Sequence, residues 1–500
     1  CSAFDADRDS VLLNLKGNLS KVRLCILSGG TPSRQEKGVI LPRILSDCKK
    51  QSVLLQFTRL GRGLPQVSER QVQKARELTM SRLTSPFNRT VPRSIRRIVD
   101  SFPDVKIGEL TPGDLLSGAS CTERTRKEGG RASLLRTWNM SAKLPFPGSG
   151  LNRVVATREF TDAKRLHPQP CHSTALFIAE QGAKVRMVTK NPSVVVAHSH
   201  RARRALFALL RRQSNVTVSE SISDPELGTI SFPKAYRRSR IFSADLTAAT
   251  DLLGRPLISL ICKRYGIPLY LVCSDTVDGV AVCRGTSMGL PASWPVLSLA
   301  HYAICRVVDP THSFRIKGDD LIALWTDFQI SHYHKLCEQV GFLVNTKKSV
   351  VSDTMGVFCE VTYRREKKTL VRCSDFSIRS FCRGEPLQPD QWLMLIRHGA
   401  SLKRLHFLTR KSCRAHLAVA RKLGLDPYAA PSCGGWGFPP KDLDSKVQTR
   451  TSCIVRAMHN GQFVMRDPEG ASGPLVQQMI KLNFDPIRWG ANGTGDPVAW

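Results

Sequence analysis

The spacing of apolar positions changes along this chain, and the changes divide it. Over residues 1 to about 150, short apolar patches at 11–15 and 53–57 are separated by Gly, Pro and Arg. Residues 69–83 carry helical spacing, whereas 110–130 is rich in Gly, Ser and Thr and predicts loops. From about 170 to 370 the pattern sharpens. The run RARRALFALLRR at 201–212 predicts a basic helix with one apolar face, 241–245 a short strand, and 252–265 and 294–308 two apolar helices. Segments 314–317 and 321–325 flank Gly318-Asp319-Asp320 and predict a strand, a tight turn and a strand. Beyond 385 the chain is helical and basic over 392–425, and the Gly/Pro cluster 431–440 ends that stretch. No repeat or long low-complexity tract interrupts this order.

Composition adds a partner. Hydrophobic residues make up 41% and charged residues 23% of 500, ordinary for a globular protein with a sizeable core. The balance of charge is not ordinary: 74 Lys+Arg against 41 Asp+Glu leave a net +33. Such an excess draws polyanions, and released counterions supply much of the affinity for nucleic acid. A protein that only packages nucleic acid fits this composition too. The basic residues are spread along the chain, not set beside an amphipathic or lipidated segment, which speaks against a membrane surface. The 16 cysteines contain no Cys-x-x-Cys pair, so reduced thiols are expected and structural zinc is unsupported. No apolar run approaches the roughly 18 residues of a membrane span, and no signal-peptide pattern opens the chain. The sequence begins at Cys1 and its first methionine is Met80, so the true start is expected to be missing.

Four segments carry candidate chemistry. In Lys317-Gly318-Asp319-Asp320, two adjacent carboxylates at a hairpin tip repel one another unless a cation neutralises them, and hard oxygen ligands select magnesium or manganese. A Gly-Asp-Asp triplet arises by chance in roughly one chain in ten of this length, and for the triplet taken alone a plain surface turn is the better explanation. Upstream, Asp245-Leu246-Thr247-Ala248-Ala249-Thr250-Asp251 follows a short strand. An aspartate at that strand's end would complete a metal site with the hairpin tip. Thr247 or Thr250 with Asp251 could instead simply cap a helix starting at Leu252. Between these, residues 284–294 (RGTSMGLPASW) form a loop in which Gly285 and Gly289 would let backbone amides approach a phosphate or ribose. Finally, in 180–186 (EQGAKVR) strand alternation puts Lys184 and Arg186 on one face, where two cations could hold a triphosphate or simply face solvent.

Together, EQGAKVR, DLTAATD, GTSMGLPASW and KGDD resemble, in order and spacing, the fingers and palm motifs of viral RNA-dependent RNA polymerases of the narnavirus, mitovirus and ourmia-like (botourmiavirus) group. Residues 341–349 (GFLVNTKKS) and 356–360 (GVFCE) are similar to the two following motifs, and 431–437 to a feature near the thumb. The resemblance covers about 175–440, and MGLPASW and LGRGLP (60–65) favour the ourmia-like branch.

The resemblance implies an α/β fold with an α+β palm: a right-hand polymerase whose fingers, palm and thumb surround an antiparallel sheet backed by helices. It implies an N-terminal extension with part of the fingers over 1–150 and fingers over 151–240. Palm would follow over 241–375 with an insertion at 265–285, and a helical thumb with a tail over 376–500. Asp245 and Asp319 would hold two magnesium ions, replaceable by manganese, with Asp320 assisting. Lys184 and Arg186 would grip the nucleoside triphosphate, and Asp251 and Ser293 would test the ribose 2′-hydroxyl. Lys348, with Lys347 as competitor, would donate a proton to departing pyrophosphate, and Phe358 and Cys359 would lie near the primer end. Where many related polymerases carry an asparagine after the glycine loop, this chain reads Pro295-Val296-Leu297, which shifts ribose selection towards Asp251 and Ser293. The implied partners are RNA template and product and ribonucleoside triphosphates, in host cytoplasm or mitochondrion. A reverse transcriptase shares this chemistry but would be expected to carry an aromatic residue at Asp251, and a non-catalytic RNA-binding relic would have no need of intact aspartates.

Overall fold

A computed structural model of the chain describes residues 2–33, 51–108, 119–131, 171–218 and 229–373, and beyond them 396, 401–422, 426–428, 438, 439 and 441. The chain falls into two compact units, Cys1–Glu220 with Pro225–Cys373, and Ser221–Asp224 with Ser374–Trp500.

The first unit opens with helices α1 (Ser2–Leu27), α2 (Gln51–Thr58), α3 (Glu69–Thr84) and α4 (Arg93–Asp100). The two early apolar patches therefore lie in helices: α1 buries Leu12, Leu19, Val22 and Ile26 along one stripe and leaves Val11 and Leu13 exposed. α3 matches the helix expected over 69–83. Strands β1 (His172–Glu180) and β2 (Lys184–Lys190) then pair as an antiparallel hairpin. Helix α5 (Ser193–Arg211) contains the expected basic helix but starts directly after Pro192, because Val196 and Ala197 extend its buried face.

Next come β3 (Thr229–Ser231), β4 (Arg240–Ala244) and β5 (Leu246–Thr247). The single helix expected over 252–265 is two, α6 (Ala249–Leu252) and α7 (Arg255–Arg264). Two causes break it. Pro256 has no N–H for a continuing helix and falls into the first turn of α7 instead. Gly254, whose N–H donates to Val340 O at 2.9 Å, sits where a Cβ would stand 2.4 Å from the Phe87 ring. Strands β6 (Thr276–Val277) and β7 (Val280–Ala281) fall in the segment expected as an insertion, and they join the first hairpin in a sheet ordered β2-β1-β6-β7.

Helix α8 (Ser293–Val308) follows, as expected, and is apolar on nearly every side; it is the central helix, packed by α4, α5, α7 and α9 (Asp327–Gln339). Between α8 and α9 run β8 (Phe314–Lys317) and β9 (Asp320–Trp325), and after α9 come β10 (Leu343–Val344), β11 (Val350–Ser352), β12 (Met355–Phe358), β13 (Val361–Glu366) and β14 (Thr369–Arg372). The central sheet is antiparallel, ordered β11-β4-β9-β8. Alternation along β9 feeds two cores. Leu321, Ala323 and Trp325 join Phe242 and α8 on one face, whereas Ile322 and Leu324 join Ile241 and the sheet β12-β13-β14-β3 on the other. An antiparallel sheet backed by helices is thus the architecture, as expected.

In the second unit, α10 (Leu402–Ser412) and α11 (Arg414–Lys422) fall within the stretch expected to be helical and basic. The similarity at 431–437 lies outside the described residues. Among the described residues no disulfide forms, and no helix is long and apolar enough to cross a membrane.

Candidate active site

The β4–β9 register ends on Ala244 opposite Leu321, so Asp245, the residue after β4, and Asp320, the residue before Leu321, lie at the same end of the sheet. In the neighbouring hairpin Lys317 pairs with Asp320, which leaves Gly318 and Asp319 as a two-residue turn. Gly318 has φ +62°, and a Cβ there would stand 2.8 Å from Trp294 Nε1, so glycine is required on both counts. The structure therefore brings Asp245, Asp319 and Asp320 to one end of one sheet.

The chain after α9 wraps Asp245. Its N–H donates to Ser349 Oγ (3.2 Å), its main-chain oxygen accepts from Asn345 N (2.8 Å), and Oδ2 accepts from Asn345 Nδ2 at 3.3 Å. Lys348 Nζ lies 3.6 Å from the same Oδ2, which distinguishes Lys348 from its neighbour Lys347. The pairing of β5 with β10 fixes this wrap, since Val344 opposes Leu246.

The carboxylates disturb one another. Lost hydration, then the charges of Asp319, Asp245 and Glu360, push Asp320 up to about 7 against the pull of Arg62. Asp319 stands exposed at the tip, yet crowding by protein and then Asp245 raise it too, opposed by a backbone hydrogen bond and by Lys184 and Arg186. Clustered oxygen donors that resist ionising together suit a hard divalent cation, which would relieve that repulsion. Among the described residues no three His, Cys, Asp or Glu side chains enclose a metal ion in this conformation, in which Asp245 Oδ2 is held by Lys348 and Asn345.

Cations face this acidic end. Lys184, opposite Glu180 in the β1–β2 register, is exposed; Arg186 Nε lies 3.3 Å from the Glu180 carboxylate. Two further cations were not among the expected site residues, although Arg62 lies within the LGRGLP motif. Lys16 of α1 donates to Gly182 O (2.6 Å) and Ala183 O (2.9 Å) at the β1–β2 turn, and Arg62 pairs with Glu360 at 2.8 Å. Lost hydration, then the charges of Lys348, Arg62 and Lys184, lower Lys16 to about 8; lost hydration, then Arg186 and Arg62, lower Lys184.

The turn after β5 does not use the alternative side-chain cap at Thr247 or Thr250: α6 starts from Ala248 at φ +45°, with Asp251 in its first turn. Asp251 lines a small cleft with Met187, Thr189, Arg284, Thr286 and Met288. Burial raises its pKa, partly offset by a hydrogen bond from Thr250 (3.1 Å). The glycines of the loop serve close packing. A Cβ on Gly285 would meet Thr250 O at 2.7 Å, and one on Gly289 would collide with Thr189 O. Their amides are engaged within the protein, Gly285 N with Leu253 O (2.8 Å) and Gly289 N with Thr189 Oγ1 (3.0 Å). Ser293 is buried, and its hydroxyl donates to the main-chain oxygens of Ser287 and Val272, closing the loop onto α8. Phe358 packs in the core with Tyr363, while Cys359, at φ +50° in the β12–β13 turn, is the member of that pair that approaches Asp320, Lys317 and Asp319.

No family model matches the chain. It is 25% identical over 416 residues to the RNA-directed RNA polymerase of Saccharomyces 23S RNA narnavirus, covering 71% of this chain and 43% of that protein. It is 26% identical over 359 residues to the corresponding polymerase of Saccharomyces 20S RNA narnavirus, covering 62% and 43%. The chain thus spans less than half the length of these curated relatives. Among solved structures, it is similar to an insertion-loop deletion mutant of a human picobirnavirus RNA-dependent RNA polymerase, with TM-score 0.50, 12% identity and coverage of 80% and 86%. The resemblance drawn from the motifs is therefore matched by narnavirus homologues, and the fold by a viral RNA-dependent RNA polymerase.

Proposed function

We propose that this chain synthesises RNA on an RNA template from ribonucleoside triphosphates, as a viral RNA-directed RNA polymerase. The observation that carries the reading is the convergence of Asp245, Asp319 and Asp320 at the end of the central sheet, opposite Lys184 and Arg186. Homology to narnavirus polymerases supports it.

The reaction joins the 3′-oxygen of the growing strand to the α-phosphorus of a nucleotide, breaks the α–β phosphoanhydride bond and releases pyrophosphate. Asp245 and Asp319, with Asp320, are the residues that would hold divalent cations, two magnesium ions in our reading, with manganese as substitute. Such cations supply charge neutralisation and Lewis acidity for phosphoryl transfer. Lys184 and Arg186 grip the triphosphate. Lys348 would protonate the departing pyrophosphate, a role supported by its approach to Asp245 Oδ2 at 3.6 Å. Asp251, in its cleft, reads the ribose, and Ser293 serves that reading indirectly by holding the loop. The central sheet and its helices act as palm, β1–β2 with β6–β7 as fingers, and the helices beyond 376 as thumb.

Primer extension with ribonucleotides and magnesium tests this reading. The parental chain extends a primed RNA template, and Asp319→Asn falls below about one hundredth of that rate, more than is typical for a residue outside the ligand shell. Preference for deoxyribonucleotides would favour a reverse transcriptase. RNA binding without extension would leave a binding relic.

A further inference from the structure

Helix α8 carries a histidine that neither nucleotide nor solvent can touch. His301 is fully buried, and both ring nitrogens are engaged: Nδ1 lies 2.8 Å from Gly318 O, and Nε2 lies 2.8 Å from the Tyr333 hydroxyl. A carbonyl oxygen only accepts, so Nδ1 carries the hydrogen. The neutral ring is then an acceptor at Nε2, and Tyr333 donates to it. Burial agrees, lowering the ring's pKa to about 4 against the Gly318 hydrogen bond. One tautomer and one ring orientation follow from the partners alone.

Gly318 immediately precedes Asp319. Its carbonyl lies in the same rigid peptide plane as the Asp319 N–H and Cα, so an anchor on that oxygen sets where the Asp319 side chain departs from the turn. Trp294, seven residues before His301 and so on the same face of α8, lies against the Gly318 Cα. A single helix face thus supports the turn from below and clamps its carbonyl, and that helix begins where the glycine loop ends.

We propose that His301, oriented by Tyr333, is a positioning residue that fixes the Gly318–Asp319 peptide and so sets the direction in which Asp319 presents its carboxylate to a divalent cation. The inference rests on the assignment of Asp319 as a cation ligand, and it gives α8 a second task besides filling the core.

Three variants of the full chain test it. His301→Leu fills space but removes both hydrogen bonds; His301→Asn keeps a donor near the Nδ1 position and loses the Tyr333 link; Tyr333→Phe removes only the hydroxyl. Manganese affinity is read by electron paramagnetic resonance, with Asp319→Asn marking the signal that belongs to this site, alongside thermal unfolding and extension at saturating nucleotide. We expect His301→Leu to weaken manganese binding about 10- to 100-fold, as for lost outer-shell partners of metal ligands, and to slow saturated extension similarly with little change in nucleotide KM. His301→Asn recovers most of both losses, and Tyr333→Phe falls between. Parental manganese affinity in His301→Leu, accompanied only by a lower Tm, overturns the proposal. If His301→Leu does not fold, Tyr333→Phe decides, and unchanged manganese affinity there overturns it equally. A parental chain that fails to extend while the manganese series behaves as stated sinks the polymerase reading alone; extension in every variant with unaltered manganese binding sinks this inference alone.

Discussion

At the scale of single residues, the acidic cluster governs how the protein responds to pH and to cations. Asp320 has its folded pKa raised to about 7 from an ordinary 3.8, so the folded chain binds its proton more readily than the unfolded chain does. Its contribution to stability is therefore greatest below about pH 4 and is withdrawn as pH rises towards 7, by roughly 1 kcal/mol per pH unit in that window. A divalent cation that neutralises the cluster reverses the loss. The magnesium-induced rise in Tm should then be at least about 2 °C larger at pH 8 than at pH 5.5, and Asp320→Asn should abolish the difference, as differential scanning fluorimetry would reveal. Lys347 and Lys348 separate by geometry, because only Lys348 is seen against Asp245. Lys348→Ala should slow single-turnover extension by about 10² to 10⁴, the usual worth of a general acid, and Lys347→Ala should leave it near the parental rate.

At the scale of elements, the cationic side of the site is assembled by parts far apart in sequence. The β1–β2 turn that leads into Lys184 is gripped by the N-terminal segment. Gly182 N donates to Leu64 O at 2.6 Å, a Cβ on Gly182 would press on Gly61 O and Arg62 O, and Lys16 of α1 holds both turn carbonyls. Asp9 adds to the same joint by accepting from Ser68 N (3.0 Å) at the start of α3. Helix α1 therefore acts as a latch on the hairpin that presents Lys184 and Arg186. Lys16→Met keeps the aliphatic stem and removes the charged donor, whose bonds are of the stronger kind. It should raise the KM for ribonucleotides about tenfold while changing the saturated rate far less; a fall in rate at unchanged KM would refute the latch.

At the scale of the whole molecule, a net +33 should make the proposed RNA binding salt-dependent. The logarithm of template affinity should fall with the logarithm of salt with a slope near −4, the value for about six neutralised single-strand phosphates, and Asp319→Asn should leave that slope unchanged. A flat profile in filter binding would remove electrostatics from the account. The proposed partner class rests on composition, whereas the order of elements was legible in apolar spacing: α3, α8, the β8–β9 hairpin and the basic helices near 400 stand where the pattern puts them. Asp245, Asp319, Lys184 and Arg186, the proposed site residues, were singled out by an ordered set of motifs. These are short-range properties, because periodicity and turn chemistry depend on residues within a few positions of each other. What only the tertiary structure decided is longer in range. The break at Gly254 comes from Phe87 and Val340, the engagement of Ser293 from Val272 and Ser287, the raised pKa of Asp320 from burial and then from the charges of Asp319, Asp245 and Glu360, and the contacts of Lys16 and His301 from residues they meet only after folding. A side chain's chemistry is written in its type, but its hydration and its neighbours' charges are set by which strands align and which helix faces pack.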